Sequence, residues 1–251
     1  MAEIELSWLN GGIAEEASRA NAAAHLRLQA YNRRYGLRRM FSEQNRLLLN
    51  ALGTGRNLLE VGCGIGNFLI DATREGAFLK VYAVEVSLHT ARIALAVAPS
   101  VQMISLAPAE TLPFRSDCFD AVVTRGVLHH LADPAVAVRE MHRVLKTGGR
   151  LVILEGNPAS KYRRLMLGIA DCFGVPHEDT HYRHLWPQEI EELLSVFKQV
   201  HMTSINGLFA PLAYVGIGGV RVWNVLTGIL KVIARYQPDS FDWWKLWVAQ
   251  K

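Results

Sequence analysis

The sequence predicts an α/β fold, a mostly parallel sheet fed by βα units. Three observations carry this. Between Arg56 and Glu155, short apolar runs alternate with longer amphipathic segments, the pattern of strands joined by crossover helices. The run LLEV at 58–61 leads directly into glycines at 62, 64 and 66, a sharp turn made from residues without a Cβ. Asp133-Pro134 supplies a helix start, with Asp as N-cap and Pro in the first turn, and Gly148-Gly149 stops that helix before the next apolar run.

In chain order, residues 13–53 read as helical, because Ala and Leu are abundant, Pro is absent, and Gly36 marks a break between two helices. Strand NLLEV follows, then a helix over 66–76, strand VYAVEV, a helix over 87–97, and strand VQMISL. Strand FDAVVT, a helix over about 133–146 and strand RLVILE complete the strongly patterned part. Beyond Glu155 the reading is a helix near 159–173, a loop from Gly174 to Trp186, a helix from Pro187 to Phe197, and a strand near 199–205. This divides the chain into an N-terminal helical cap (1–53), a core (54–206) and an apolar C-terminal extension (207–251).

The 251 residues are 50% hydrophobic and 20% charged, enough for a sizeable core and too apolar for disorder. The net charge of +4 is too small to imply a nucleic-acid partner by itself. Arg27, Arg33, Arg34, Arg38, Arg39 and Arg46 crowd a segment whose one acid is Glu43. They read either as a solvated helix face or as a surface for an anionic partner. Cys63, Cys118 and Cys172 are odd in number and widely spaced, which fits a reducing, cytoplasmic setting. The N-terminus has neither the basic start nor the apolar run of a signal peptide.

From Met202 to Val220 no residue is charged, but Pro211 and four glycines interrupt the run, so a spanning helix is not favoured. Four of the six tryptophans lie in the last 29 residues. They suit a core hairpin with a packed terminal helix, or peripheral membrane contact through the C-terminal region, since Trp favours apolar–aqueous boundaries.

The segment LLEVGCGIGNF places Glu60 beside Gly62, Gly64 and Gly66. A helix opening near Gly66 offers free N–H groups to a polar ligand. A dinucleotide fingerprint G-x-G-x-x-G needs glycine at position 67, which is Asn67. A carboxylate beside the loop repels a pyrophosphate and suits an ammonium or sulfonium group. Glu85, 25 residues after Glu60, ends the next strand, where an acid accepts ribose hydroxyls. A ribose at one end and a non-phosphate cation at the other describe S-adenosylmethionine.

In order, LLEVGCGIG, AVEVS, APAETLPF, FDAVVTRGVLHHL and EMHRVLKTGGRLVILE resemble the class I S-adenosylmethionine-dependent methyltransferases, in particular the group containing quinone-biosynthesis and other small-molecule methyltransferases. The likeness covers roughly residues 40–200. It implies a Rossmann-like, mostly parallel seven-stranded sheet with helices on both faces, S-adenosylmethionine as cofactor and S-adenosylhomocysteine as product. It also implies cofactor contacts from Glu60, Gly62, Cys63, Gly64, Gly66, Asn67, Glu85, Val86, Ala109, Glu110 and Arg125. Pro108 stands where the family usually carries an acid that binds the adenine amino group, which shifts that task to backbone groups or to Glu110.

Methyl transfer from a sulfonium is an in-line displacement, in which the protein aligns the reactants and excludes water. A base is required only when the nucleophile must lose a proton. His129 and His130, just after the fourth strand, are the candidate catalytic pair, or a structural turn with an imidazole bonded to backbone. Arg125, His129, His181, Tyr182 and His184 are candidate substrate contacts. The stretch PHEDTHYRH at 176–184 has a metal-like spacing only if helical and reads as a loop, so no metal is expected. The expected acceptor is a small, apolar molecule of lipid, quinone, isoprenoid or natural-product type. The other classes weighed are a catalytically silent binding subunit, an RNA methyltransferase and an NAD-linked oxidoreductase.

Overall fold

The computed structural model describes residues 17–18, 24, 26–172, 183–208, 210–216, 219–233 and 242–251. Residues 26–33 are helical, and after Arg34 the chain enters α1 (Tyr35–Leu52). Then come β1 (Gly55–Val61), α2 (Asn67–Glu75), β2 (Phe78–Glu85), α3 (Leu88–Val97), β3 (Met103–Leu106) and β4 (Phe119–Arg125). A 3-10 turn (Leu128–His130) leads to α4 (Pro134–Val144), β5 (Leu145–Gly156) and α5 (Lys161–Cys172). The last elements are α6 (Pro187–Leu193), a 3-10 turn (Leu194–Val196), β6 (Gln199–Asn206), α7 (Ala210–Val215), α8 (Val220–Ile233) and β7 (Asp242–Gln250).

The strands form one seven-stranded sheet in the order β3-β2-β1-β4-β5-β7-β6. The first five are parallel, and β7 runs antiparallel to both β5 and β6. Side chains alternate across the sheet, so the adjacent Leu58 and Leu59 serve different cores. Leu59 packs with Val122, Met141, Ile153 and Trp247 on one face. Leu58 packs with Leu48, Phe68, Leu69 and Val123 on the other. Burial on both faces explains why β1 and β4 are apolar at consecutive positions, Leu58-Leu59 and Ala121-Val122-Val123, instead of alternating.

The strand order reverses between β1 and β4, which pair in register from Leu58↔Ala121 to Val61↔Thr124. A crevice outside the carboxyl ends of the strands opens at such a reversal. Glu60, Glu85, Arg125 and Glu155 all stand at those ends.

Asp133 caps α4 as its sequence predicts, accepting from Ala135 N at 3.0 Å and Val136 N at 3.3 Å. Three expectations are corrected. Gly36 does not break the N-terminal helices; the break is at Arg34, and Gly36 lies in the first turn of α1. It is glycine because the indole of Trp223 from α8 packs there, and a Cβ would sit 2.2 Å from it. Gly148-Gly149 does not end α4, which stops at Val144. The pair lies in a bulge of β5, where Phe119 pairs with Leu145 but Ala121 with Arg150. A Cβ on Gly149 would meet the Lys146 carbonyl at 2.8 Å.

The third correction concerns the tryptophan-rich end. The expected packed terminal helix is a strand, β7, and it supplies an interior strand of the sheet. Trp243 and Trp247 are buried there, and Trp223 is buried from α8. Among the described residues no helix is long and apolar enough to cross a membrane.

Candidate active site

The glycine turn after β1 is held by the neighbouring strand. Gly62 N and Cys63 N both donate to Val84 O, at 3.0 and 3.1 Å, and Gly66 N donates to Cys63 O at 3.0 Å. Gly62, Gly64 and Gly66 take φ of 74°, 52° and 83°, a region open mainly to glycine. A Cβ on Gly64 would meet nothing within 4 Å, so this backbone is bare and faces open space. Cys63 is buried, and burial pushes its thiol pKa up, which leaves it a small apolar residue rather than a nucleophile. Asn67 begins α2, which is capped by Gly66.

Two buried carboxylates flank the turn. Glu85 accepts from Val86 N at 3.0 Å and Ser87 N at 3.1 Å through Oε1, and from Gly64 N at 2.9 Å through Oε2. A carboxylate offers about four acceptor positions, so three are engaged by the protein's own backbone. Burial nonetheless outweighs these bonds and raises its pKa. Val86 follows directly in the chain.

Glu60 is 2% exposed, and its Oε2 has no hydrogen-bond partner among the described residues. Burial pushes its pKa up to about 8, opposed by Arg125 and reinforced by Glu85. A buried polar atom without a partner is costly, and a cationic ligand group would relieve that cost.

Ala107 N donates to Glu85 O at 3.2 Å, and Thr111 N closes a turn on Pro108 O at 3.2 Å. This brings the buried Ala109 and half-buried Glu110 beside the end of β2. Burial raises the Glu110 pKa.

Arg125 reaches under the N-terminal helices. Its Nη1 donates to Asn45 Oδ1 at 2.8 Å, and its guanidinium lies 5.1 Å from the centre of the Phe41 ring. Burial lowers its pKa, opposed mainly by Glu60. The arginine-rich segment is tied down in part, with Glu43 pairing with Arg39 at 3.1 Å and with Arg46 at 2.8 Å.

His129 and His130 lie on the 3-10 turn after β4, with ring centres 4.2 Å apart. His129 Nδ1 is 2.7 Å from Oε2 of Glu155, whose Oε1 accepts from Val127 N at 2.9 Å and Leu128 N at 2.8 Å. Burial alone would raise the Glu155 pKa, but His129 and the two backbone donors outweigh it and hold the carboxyl below its usual range.

Of the expected substrate contacts, His184 is exposed on the segment before α6, and His181 and Tyr182 lie outside the described residues. Among the described residues no cluster of His, Cys, Asp or Glu could hold a metal. Sequence reasoning missed Glu155 and Asn45. Glu155 carried a usable signal, an acid ending a buried strand, which is what singled out Glu85 and, one residue from its strand end, Glu60. Asn45 carried none, since a single Asn on a helix gives no hint that it is buried.

The bare glycine backbone, the unpartnered carboxylate oxygen and the second acid fit a ligand with a cationic group and a nucleoside.

Comparison with known proteins agrees. A family model described as a methyltransferase domain matches residues 59–153. A demethylmenaquinone methyltransferase of Mycobacterium bovis is 32% identical over 203 residues, covering 75% of this chain and 78% of the relative. A ubiquinone/menaquinone biosynthesis C-methyltransferase of Geotalea uraniireducens is 34% identical over 128 residues, 49% of this chain, and the chain spans only about half (51%) of that relative. The crystal structure of an S-adenosylmethionine-dependent methyltransferase from Thermotoga maritima, described as a possible histamine N-methyltransferase, superposes with a TM-score of 0.65 at 16% identity, covering 92% of this chain and 97% of that one. With the fold and the glycine turn already in place, the chain belongs to the class I S-adenosylmethionine-dependent methyltransferases.

Proposed function

We propose that the protein transfers a methyl group from S-adenosylmethionine to a small apolar acceptor of the hydroquinone class. The observation that carries this reading is the His129–Glu155 pair at the strand ends: a histidine held by a buried carboxylate is of use when the acceptor must lose a proton. A hydroquinone hydroxyl must do so, whether the new bond forms at oxygen or at the ring carbon beside it. Two of the relatives, named for quinone and menaquinone methylation, support the same class.

The cofactor supplies an electrophilic methyl group on a sulfonium sulfur. In this reading Glu60 receives the cation at the methionine end, and the N–H groups in the first turn of α2 receive its carboxylate. Glu85 engages the ribose with its remaining acceptor position, and a two-handed grip on both hydroxyls requires Oε2 to release Gly64 N. Ala109 and Glu110 border the adenine. Arg125 closes the methionine end from beneath α1. His129 takes the acceptor's proton, and His130 packs on its ring.

A hydroquinone with a prenyl tail dissolves in lipid. Val222, Val225 and Ile229, exposed on α8, support peripheral membrane contact at that end.

The test is incubation of the protein with methyl-labelled S-adenosylmethionine and chemically reduced demethylmenaquinone. Label in the organic phase, in a product heavier by one CH2, is expected. Tight binding of S-adenosylhomocysteine with no transfer to any phenolic acceptor would instead support a catalytically silent binding subunit.

A further inference from the structure

The geometry points to Glu155 as a positioning residue that fixes His129 in one tautomer, with the proton on Nδ1 and the lone pair on Nε2 directed to the acceptor hydroxyl. This rests on the methyl-transfer reading for its purpose, but not for its geometry.

Both oxygens of Glu155 are engaged and its side chain is 2% exposed. Oε1 accepts two backbone N–H groups from the turn that carries the histidine, at 2.9 and 2.8 Å. Charge-assisted bonds of this kind favour the ionised carboxyl. An ionised carboxylate only accepts hydrogen bonds. The ring nitrogen 2.7 Å from Oε2 must therefore carry the proton. That nitrogen is Nδ1, so in the neutral imidazole the lone pair is on Nε2.

The turn and the ring are thus set by one side chain. Glu155 holds Val127 and Leu128 by their backbone and His129 by its ring, so the loop cannot shift without breaking the histidine bond. His130 restricts the ring from the other side, at 4.2 Å and an interplanar angle of 33°. His129 keeps 19% of its side chain exposed, enough to meet a ligand.

In the step itself, Nε2 takes the hydroxyl proton of the acceptor. The released electron pair forms the new bond to the methyl carbon, at oxygen or at the adjacent ring carbon. The S–CH3 bond breaks with its pair remaining on sulfur, giving the neutral thioether. For attack through carbon, the oxygen pair closes to C=O as a ring pair bonds the methyl carbon; the ring C–H proton then passes to water and the oxygen takes back a proton from the His129 imidazolium, which restores the aromatic hydroquinone. The imidazolium formed on His129 stays beside a carboxylate that stabilises it.

The test needs two readouts. In the first, 15N-histidine-labelled protein is studied by NMR, and the His129 signal is assigned by its loss in His129→Gln. The expected result is the Nδ1-protonated tautomer in the native protein and the Nε2-protonated tautomer in Glu155→Gln, whose amide donates to Nδ1. An Nε2-protonated ring in the native protein, or no change in Glu155→Gln, overturns the proposal.

The second readout is kinetic, with reduced demethylmenaquinone as probe. Glu155→Gln should lower kcat about 10²–10⁴-fold, the usual contribution of a positioned base. The KM for S-adenosylmethionine should change little, and Glu155→Asp should recover part of the rate. Unchanged kcat in a variant that still binds S-adenosylhomocysteine overturns the role. If the native protein transfers nothing to this probe yet shows the Nδ1-protonated tautomer, the acceptor reading fails and the positioning stands. The native tautomer needs no variant, so a Glu155→Gln that does not fold leaves the first readout decisive.

Discussion

Asn45 accepts from Arg125, and through that one amide the N-terminal helix is fastened to the floor of the site. Its Oδ1 takes Arg125 Nη1 at 2.8 Å, while its Nδ2 donates to Asn67 O at 3.0 Å and Asp71 Oδ2 at 2.7 Å. The side chain thus spans α1, α2 and β4 while only 1% exposed. Asn45→Ala should cost about 1–3 kcal/mol, because it strands partly buried partners, two of them charged. Urea unfolding reads this, and cofactor affinity should fall with it, since Asn67 opens the helix at the glycine turn. An unchanged midpoint would mean these bonds do not form in solution.

Glu60 gives a dependence on pH whose sign is fixed. Its pKa is raised from 4.5 to about 8 in the folded protein. Its contribution to stability is therefore full below pH 4.5 and lost as pH rises through about 8. Glu60→Gln cannot ionise and should remove that part of the slope in urea midpoints measured across this window. A bound cation favours the carboxylate, so binding of S-adenosylmethionine near neutral pH should release about one proton from this residue. Calorimetry in buffers of different ionisation enthalpy detects it, and Glu60→Gln should abolish it.

Gly36 and Gly168 make a matched pair. Both lie in helices, but a Cβ on Gly36 would strike Trp223 at 2.2 Å and one on Gly168 meets nothing within 4 Å. Gly36→Ala should destabilise by about 1–3 kcal/mol through overpacking. Gly168→Ala should stabilise by roughly 0.5–1 kcal/mol through the backbone entropy it saves. Melting temperatures moving in the same direction would contradict this packing.

Trp247 tests the place of the last strand in the sheet. It is 1% exposed and packs with Leu59, Ile153 and Met141. Trp247→Ala should cost about 3–5 kcal/mol. Its Nε1 has no hydrogen-bond partner among the described residues, so Trp247→Phe forfeits volume but no bond and should cost much less. Chemical unfolding of the two variants separates these outcomes.

Local signals were legible and long-range pairings were not. The glycine turn, the Asp133 cap and the βα alternation are written in neighbouring residues, and the structure has them. Glu60 and Glu85 stood out because acids rarely occupy buried strand ends. Glu155 met the same criterion, but its partner His129 lies 26 residues away, and no spacing rule links them. The sequence DWWKLWVAQ misled because a strand buried on both faces has no alternation, and a short apolar run does not distinguish strand from helix by period. The aromatic content was the better guide, since Trp favours strands. Gly36 misled because a glycine that admits a neighbour's side chain looks, in sequence, like one that ends a helix.

The strand order also has a consequence for the timing of synthesis. Among the described residues β6 joins the sheet only through β7, and β7 begins 36 residues after β6 ends, at Asp242 against Asn206. While the ribosome adds the intervening helices, β6 has its sequence but no hydrogen-bonding neighbour, and β5 presents a bare edge. Such an edge is a template for mispairing. The nascent chain should therefore be most open to chaperones and proteases while residues 207–241 are added, and closure of the sheet should follow release of residues 242–250 rather than accompany β6.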